Sequence, residues 1–140
     1  MKEIIFTTFL FFLPLIVLSD EKSFFLNIQK DTSLETFLWK KRPIIIFSDS
    51  PEDVNFKLQI EMLVENSEAV KERDIIILTD TNPEEKSFLR KKLRPRGFTL
   101  ILIGKDGQVK LRKPFPWKMR EISSIIDKMP IRKQEINSKK

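Results

Sequence analysis

Three groups of residues in this chain have types and spacings that bear on chemistry. Asp49, Asp53 and Asp80 stand at or just past two apolar runs, PIIIFS and IIILTD. Carboxylates gathered at strand ends can hold a hard cation such as Mg²⁺ or Ca²⁺, or serve as acid and base. The plainer reading is preferred: Asp49 and Asp53 satisfy helix-start amides and Asp80 caps a turn, because no D-x-D ligand loop is present. The second group, Arg90, Lys91, Lys92, Arg94 and Arg96, is the densest basic run. It reads as an anion-binding edge, joined in space by Lys40, Lys41 and Arg42, or as charge that follows a helix dipole, since Glu84 and Glu85 begin the same helix. The third group is Lys105, Asp106, Lys110 and Arg112. Asp106 suits turn geometry. Lys110 and Arg112 alternate with Val109 and Leu111 and so share one face of a strand. That face is either a solvated edge that deters association or a binding surface on which Arg112 takes a carboxylate or phosphate with both arms.

Composition narrows what these groups can do. The chain has no cysteine, histidine or tyrosine, which removes thiol mechanisms and the commonest general base and metal ligand. Only three glycines occur, and no phosphate-cradling loop, G-x-S-x-G, H-E-x-x-H or EF-hand pattern is found. No catalytic residue, metal ligand or cofactor is assigned. The net charge of +6 permits attraction to anionic surfaces and is modest for a nucleic-acid binder, so no nucleic acid is expected.

The elements that must position these residues follow from periodicity. Residues 1–19 begin Met-Lys-Glu and continue IIFTTFLFFLPLIVLS, the pattern of a secretory signal peptide cleaved near Ser19. The rival is a retained anchor, disfavoured by the short run and by Pro14. Residues 20–31 read as a lead-in and 32–135 as one domain, with 136–140 a basic tail. Within the domain, a short helix Leu34–Lys40 precedes the buried strand Pro43–Ser48. A helix follows from Val54 to Glu72, then a second buried strand Ile75–Asp80 and a helix from Asn82 to Leu93. FTLILI, the turn GKDG and QVKLR form a hairpin. After the proline-rich loop Lys113–Pro116, a last helix spans Trp117–Met129, with Ile122, Ile125, Ile126 and Met129 in one stripe. Pro130 is expected to stop it, leaving a polar tail. Trp39 and Trp117 are expected to lie on the core as lids. The order predicts an α/β fold of thioredoxin type: a mixed four-stranded sheet, βαβαββα, flanked by helices.

Trp39, Arg42-Pro43, Gly104-Lys105-Asp106-Gly107, Val109-Lys110-Leu111-Arg112, Ile126-Asp127, Met129-Pro130 and Arg132 occur in this order. On them rests a resemblance of Leu34–Glu135 to domain-of-unknown-function family 4174, thioredoxin- and peroxiredoxin-like domains of exported bacterial proteins and vertebrate matrix proteins. It implies fold and export more than activity. In working thioredoxins the redox cysteines follow the first of these strands; here Ser48-Asp49-Ser50-Pro51-Glu52-Asp53 stands there. A cis-proline should precede the hairpin, and Gly97-Phe98-Thr99 takes its place. Dithiol exchange and peroxide reduction have no thiolate to run on.

The expected function is therefore an exported, secreted or periplasmic, non-catalytic thioredoxin-like binding or adaptor module. Its partner is a protein or anionic polymer of the cell envelope or matrix. The alternatives are a carboxylate- or metal-dependent enzyme using the strand-end aspartates, and a binder of anionic polymers or membrane surfaces.

Overall fold

The computed structural model describes residues 24–140; residues 1–19, read as a signal peptide, and residues 20–23 of the lead-in lie outside the described residues. Among the described residues the sheet has five strands: β1 (Phe25–Asn27), β2 (Arg42–Phe47), β3 (Ile75–Asp80), β4 (Thr99–Ile103) and β5 (Val109–Lys113). They are ordered β1-β3-β2-β4-β5. β2 and β4 are continuous apolar runs because both their faces are covered, and every residue of each is buried. The sheet corrects the four-strand expectation. Part of the lead-in becomes an edge strand, parallel to β3, with Ile28 N–H donating to Thr79 O at 2.8 Å and Phe24 O accepting from Ile77 N–H at 2.7 Å. Three residues are too short to show a period, so the strand exists only because β3 offers it a free edge.

Alternation along the central strands sorts the core. Ile44, Ile46, Ile77, Leu100 and Leu102 face α1 (Val54–Glu65), α2 (Ser67–Glu72) and α4 (Met119–Asp127), which contribute Leu63, Val70, Ile122 and Ile126. Ile45, Phe47, Leu78, Ile101 and Ile103 face the other way, onto α3 (Phe88–Leu93) and the 3-10 turn Leu34–Phe37. A slip of one residue in any central strand would exchange these two sets, which is what fixes the register.

Four helix boundaries differ from the expectation. The helix foreseen over 54–72 breaks at Asn66, whose amide donates to Met62 O at 2.7 Å and competes with the helical ladder. The helix foreseen over 82–93 divides into a 3-10 turn, Pro83–Glu85, and α3, separated by Lys86 in a left-handed conformation. Residues 34–40 form only the 3-10 turn Leu34–Phe37. Finally, Pro130 starts a helix instead of ending one: α5 covers Pro130–Ser138, with proline at its first position, where no N–H is needed. The segment read as a polar tail is thus folded back, and Arg132 within it is buried.

Candidate functional site

The sheet has two chemically distinct ends. At one end lie the starts of β2 and β3 and the turn of the β4–β5 hairpin. Gly104 O accepts from Gly107 N–H at 3.0 Å, and Gly107 holds φ +81°, the left-handed state that lets the second strand leave. Lys105 in this turn is buried. Its ammonium contacts Asp74 at 2.8 Å and Glu135 of α5 at 2.6 Å. Glu135 also takes both arms of Arg42, at 3.1 and 3.2 Å, and Arg42 is 1% exposed. Asp127 accepts two bonds from Arg73, at 3.0 and 2.9 Å, and one from Arg132 at 3.3 Å. Burial pushes the Glu135 carboxyl up; Lys105 and Arg42 outweigh it and hold it below the usual carboxylate range. Arg73, then burial in the opposite sense, sets Asp127, which also ends below that range.

This network takes in Arg42, Lys105, Asp127 and Arg132, which are among the residues that carried the family resemblance. They fasten α5 to the sheet. Lys105, offered above as a binding residue, is committed to this network and is not on the surface. Asp106 accepts Lys110 at 2.8 Å and Gln108 N–H at 3.1 Å, closing the turn locally.

The other end holds the carboxyl ends of β2 and β3 and the start of β4, the edge where open α/β sheets bind ligands. Asp53 caps α1, accepting Phe56 N–H at 2.9 Å. Asp80 is buried and accepts from Ser87 Oγ at 2.7 Å, Asn82 N–H at 3.1 Å and Arg90 at 3.0 and 3.3 Å. Burial pushes its carboxyl up, and the bonds from Arg90, Ser87 and Asn82 bring it below the usual range. Arg90 also donates to Ser48 O and Asp80 O, each at 3.0 Å, and lies over the Phe47 ring at 5.2 Å. Asp80 and Arg90 therefore lock β2, β3 and α3 together. Asp49 stays exposed. The three aspartates do not converge, and among the described residues no group of three or more acidic, histidine or cysteine side chains is placed to hold a metal ion.

The basic run is divided by the fold. Arg90 is neutralised by Asp80, whereas Lys91, Lys92, Arg94 and Arg96 are exposed. Lys40, Lys41 and Arg42 do not join them: they lead into the start of β2, at the opposite end of that strand from Ser48 and Arg90. Lys110 and Arg112, read as sharing a face, are separated by a bulge. Ile103 pairs with Val109 but Leu102 with Leu111, so Lys110 is the extra residue. Lys110 turns toward the α4–α5 junction, lining a small cavity with Met129 and Pro130. Arg112 turns to the opposite face, donating to Leu93 O at 2.7 Å and Arg94 O at 3.0 Å.

Arg112 is thereby brought to the end of α3, and a groove of about 400 Å³ opens there, lined by Arg94, Arg96, Thr99, Arg112, Lys113 and Pro114. Lys113, expected in the loop after the hairpin, instead ends β5; it pairs with Leu100, so its side chain points to the α4 face, over the Trp117 ring at 4.6 Å. Among the described residues no carboxylate lines this groove. Its position beside Thr99, at the start of β4, is the place where the resemblance puts a thioredoxin's cis-proline; among the described residues there is no cis peptide bond. Trp117 lies on the core as expected, with Gln59 bonded to its backbone in both directions, at 2.7 and 2.9 Å. Trp39 does not: it is 67% exposed, with a left-handed φ of +63° that turns its ring outward.

Comparison with known proteins agrees with this architecture. The family described as "Domain of unknown function (DUF4174)" matches residues 33–135. Coiled-coil domain-containing protein 80 of Danio rerio is 36% identical over 78 residues, 55% of this chain but only 9% of that protein's length. Among solved structures, Plasmodium vivax 2-Cys peroxiredoxin superposes with a TM-score of 0.56 at 16% identity, covering 74% of this chain and 85% of its own. Schistosoma mansoni thioredoxin gives 0.55 at 20%, covering 76% and 98%. Arabidopsis thaliana thioredoxin O2 gives 0.54 at 16%, covering 77% and 96%. At these identities the likeness is one of fold, and the fold is thioredoxin-like.

Proposed function

The chain belongs to the DUF4174 family, and from that premise we propose that it is an exported, non-catalytic binding module that captures a negatively charged partner at the strand-end edge of its sheet. One observation carries the reading: Arg94, Arg96, Arg112 and Lys113 line one groove there with no carboxylate among them. The same edge offers no thiolate, because the chain has no cysteine. Its buried carboxylate, Asp80, is engaged by Arg90 and Ser87. Exposed apolar side chains at Val54, Phe88 and Phe115 supply contact area at helix starts and in the loop after β5. Cationic grooves rimmed by apolar groups suit steering and capture of acidic surfaces. The partner class is a protein or anionic polymer of the cell envelope or matrix.

Affinity capture from the native envelope tests this. The double substitution Arg94→Glu, Arg96→Glu abolishes recovery of the partner, while Lys139→Glu, Lys140→Glu at the chain's end does not. Equal recovery with both variants refutes the assignment of the groove. Export is tested separately: N-terminal sequencing of protein recovered outside the cytoplasm is expected to begin just after Ser19.

A further inference from the structure

We infer that the groove between the end of α3 and β5 is a site for a phosphate monoester, held as a dianion by Arg94, Arg96 and Arg112. This names the ligand chemistry of the edge assigned above and rests on that reading.

The charge distribution is the first argument. The cations that are buried or partly buried elsewhere are matched by acids: Arg42 by Glu135, Arg73 by Asp127, Arg90 by Asp80, Lys105 by Asp74, Lys110 by Asp106 and Arg132 by Glu72. Among the described residues, the three groove arginines form no such pair. The three arginines share one groove with no acid among its lining residues to supply the negative charge.

The second argument is how they are held. Arg112 is fixed by two backbone carbonyls, Leu93 O and Arg94 O. These orient the guanidinium without cancelling its charge, and of its five N–H groups three remain for a ligand. Lys113, the next residue, points to the opposite face, over Trp117 and Phe115, and lies outside the proposed cradle. Arg94 ends α3 at φ +49°, the left-handed position where glycine is the usual choice.

Size is the third. About 400 Å³ lies at the small end of ligand sites, which span about 300–1,000 Å³. It admits a tetrahedral head and a short attached group. Arginine forks match phosphate oxygens with paired bonds. A monoester with its second ionisation near pH 6 carries close to two negative charges at neutrality, and so offsets more of the mutual repulsion than a diester can.

Calorimetric titration of the purified protein at low salt tests the inference with methyl phosphate, inorganic phosphate and sulfate. Methyl phosphate and inorganic phosphate are expected to bind. Arg94→Gln and Arg96→Gln each weaken binding roughly tenfold or more without lowering the unfolding midpoint, because both side chains are exposed and unpaired by acids. Affinity is also expected to fall between about pH 7.5 and pH 5, as the phosphate loses its second charge. Sulfate, a tetrahedral dianion with no ionisation in that range, is expected to bind without that pH dependence. Vesicles of phosphatidic acid and of phosphatidylglycerol locate the source: capture by the monoester lipid alone indicates a headgroup, and capture by neither a soluble ester. The inference is overturned by no binding of methyl phosphate, by binding indifferent to Arg94 and Arg96, by phosphate binding flat across that pH range, or by capture on the diester lipid equal to the monoester. If phosphate fails while Arg94→Glu, Arg96→Glu still loses the envelope partner, the capture reading stands and the phosphate chemistry falls; failure of both removes both.

Discussion

Glu135→Gln is the substitution with the most calculable consequence. The carboxylate receives both arms of Arg42, at 3.1 and 3.2 Å, and Lys105 at 2.6 Å, with Arg132 at 3.6 Å. Arg42 is 1% exposed and keeps only Arg73 O, at 2.9 Å, as a further acceptor; its Nε already has none. Glutamine preserves the shape but removes the charge, and its amide N–H₂ would face cations. Removing one member of a buried pair costs about 3–5 kcal/mol. Glu135 is 20% exposed, so solvent screening places the expected loss near about 3 kcal/mol. With a urea slope of about 1.5 kcal/mol per molar, the midpoint falls by about 2 M. Urea unfolding followed by far-ultraviolet circular dichroism measures it. The pH dependence supplies a second check. The folded carboxyl titrates below its ordinary range, so its stabilisation is complete above the unfolded value of about 4.3 and is lost as pH falls through the folded value. The gap between wild type and variant therefore narrows below about pH 4. A loss under about 1 kcal/mol at neutral pH, or a gap that persists undiminished into acid, would refute the idea that Glu135 is the hub of the network.

Asp80→Asn is expected to cost about 3 kcal/mol, because Arg90 loses its counter-charge and Ser87 its acceptor. A double-mutant cycle with Arg90→Met, read by the same unfolding assay, is expected to show coupling above about 1 kcal/mol; additive losses would mean the pair acts independently. Gly107→Ala and Gly97→Ala are each expected to cost about 1–2 kcal/mol, because both positions hold positive φ, at +81° and +58°, where a Cβ is strained. A methyl at Gly107 meets only the end of the exposed Leu38 side chain, which can turn aside, so the two thermal shifts are expected to be similar; a shift at Gly107 far above that at Gly97 would refute this. Trp39→Gly is expected to leave stability unchanged or raise it by about 0.5 kcal/mol, since the strained backbone is relieved and the exposed ring buries little. A loss above about 1.5 kcal/mol would show that the ring packs after all.

The sequence by itself determined the core of the fold. PIIIFS, IIILTD and FTLILI are long enough and apolar enough to be buried on both faces, and the Gly104–Gly107 turn forces the hairpin, because these are local properties of consecutive residues. The absence of cysteine settled what the thiol positions cannot do. Three features were decided only in the folded chain, each for the same physical reason: they depend on partners distant in sequence. β1 is a strand because β3 has an open edge. The segment after Pro130 is a helix because Glu135 and Arg132 find Arg42, Lys105 and Glu72 across 30 to 93 positions of chain. Locally it reads as a polar tail. The candidate site shows the effect most sharply. Arg94 and Arg96 stood in one group and Arg112 in another, while Lys113 belonged to neither. A single extra residue at Lys110 turns Arg112 to the α3 side, where carbonyls at the helix end hold it beside the other two. Charge type and number are written in the sequence, but which charges are cancelled and which are left to meet a ligand is set by the register of β5 against β4.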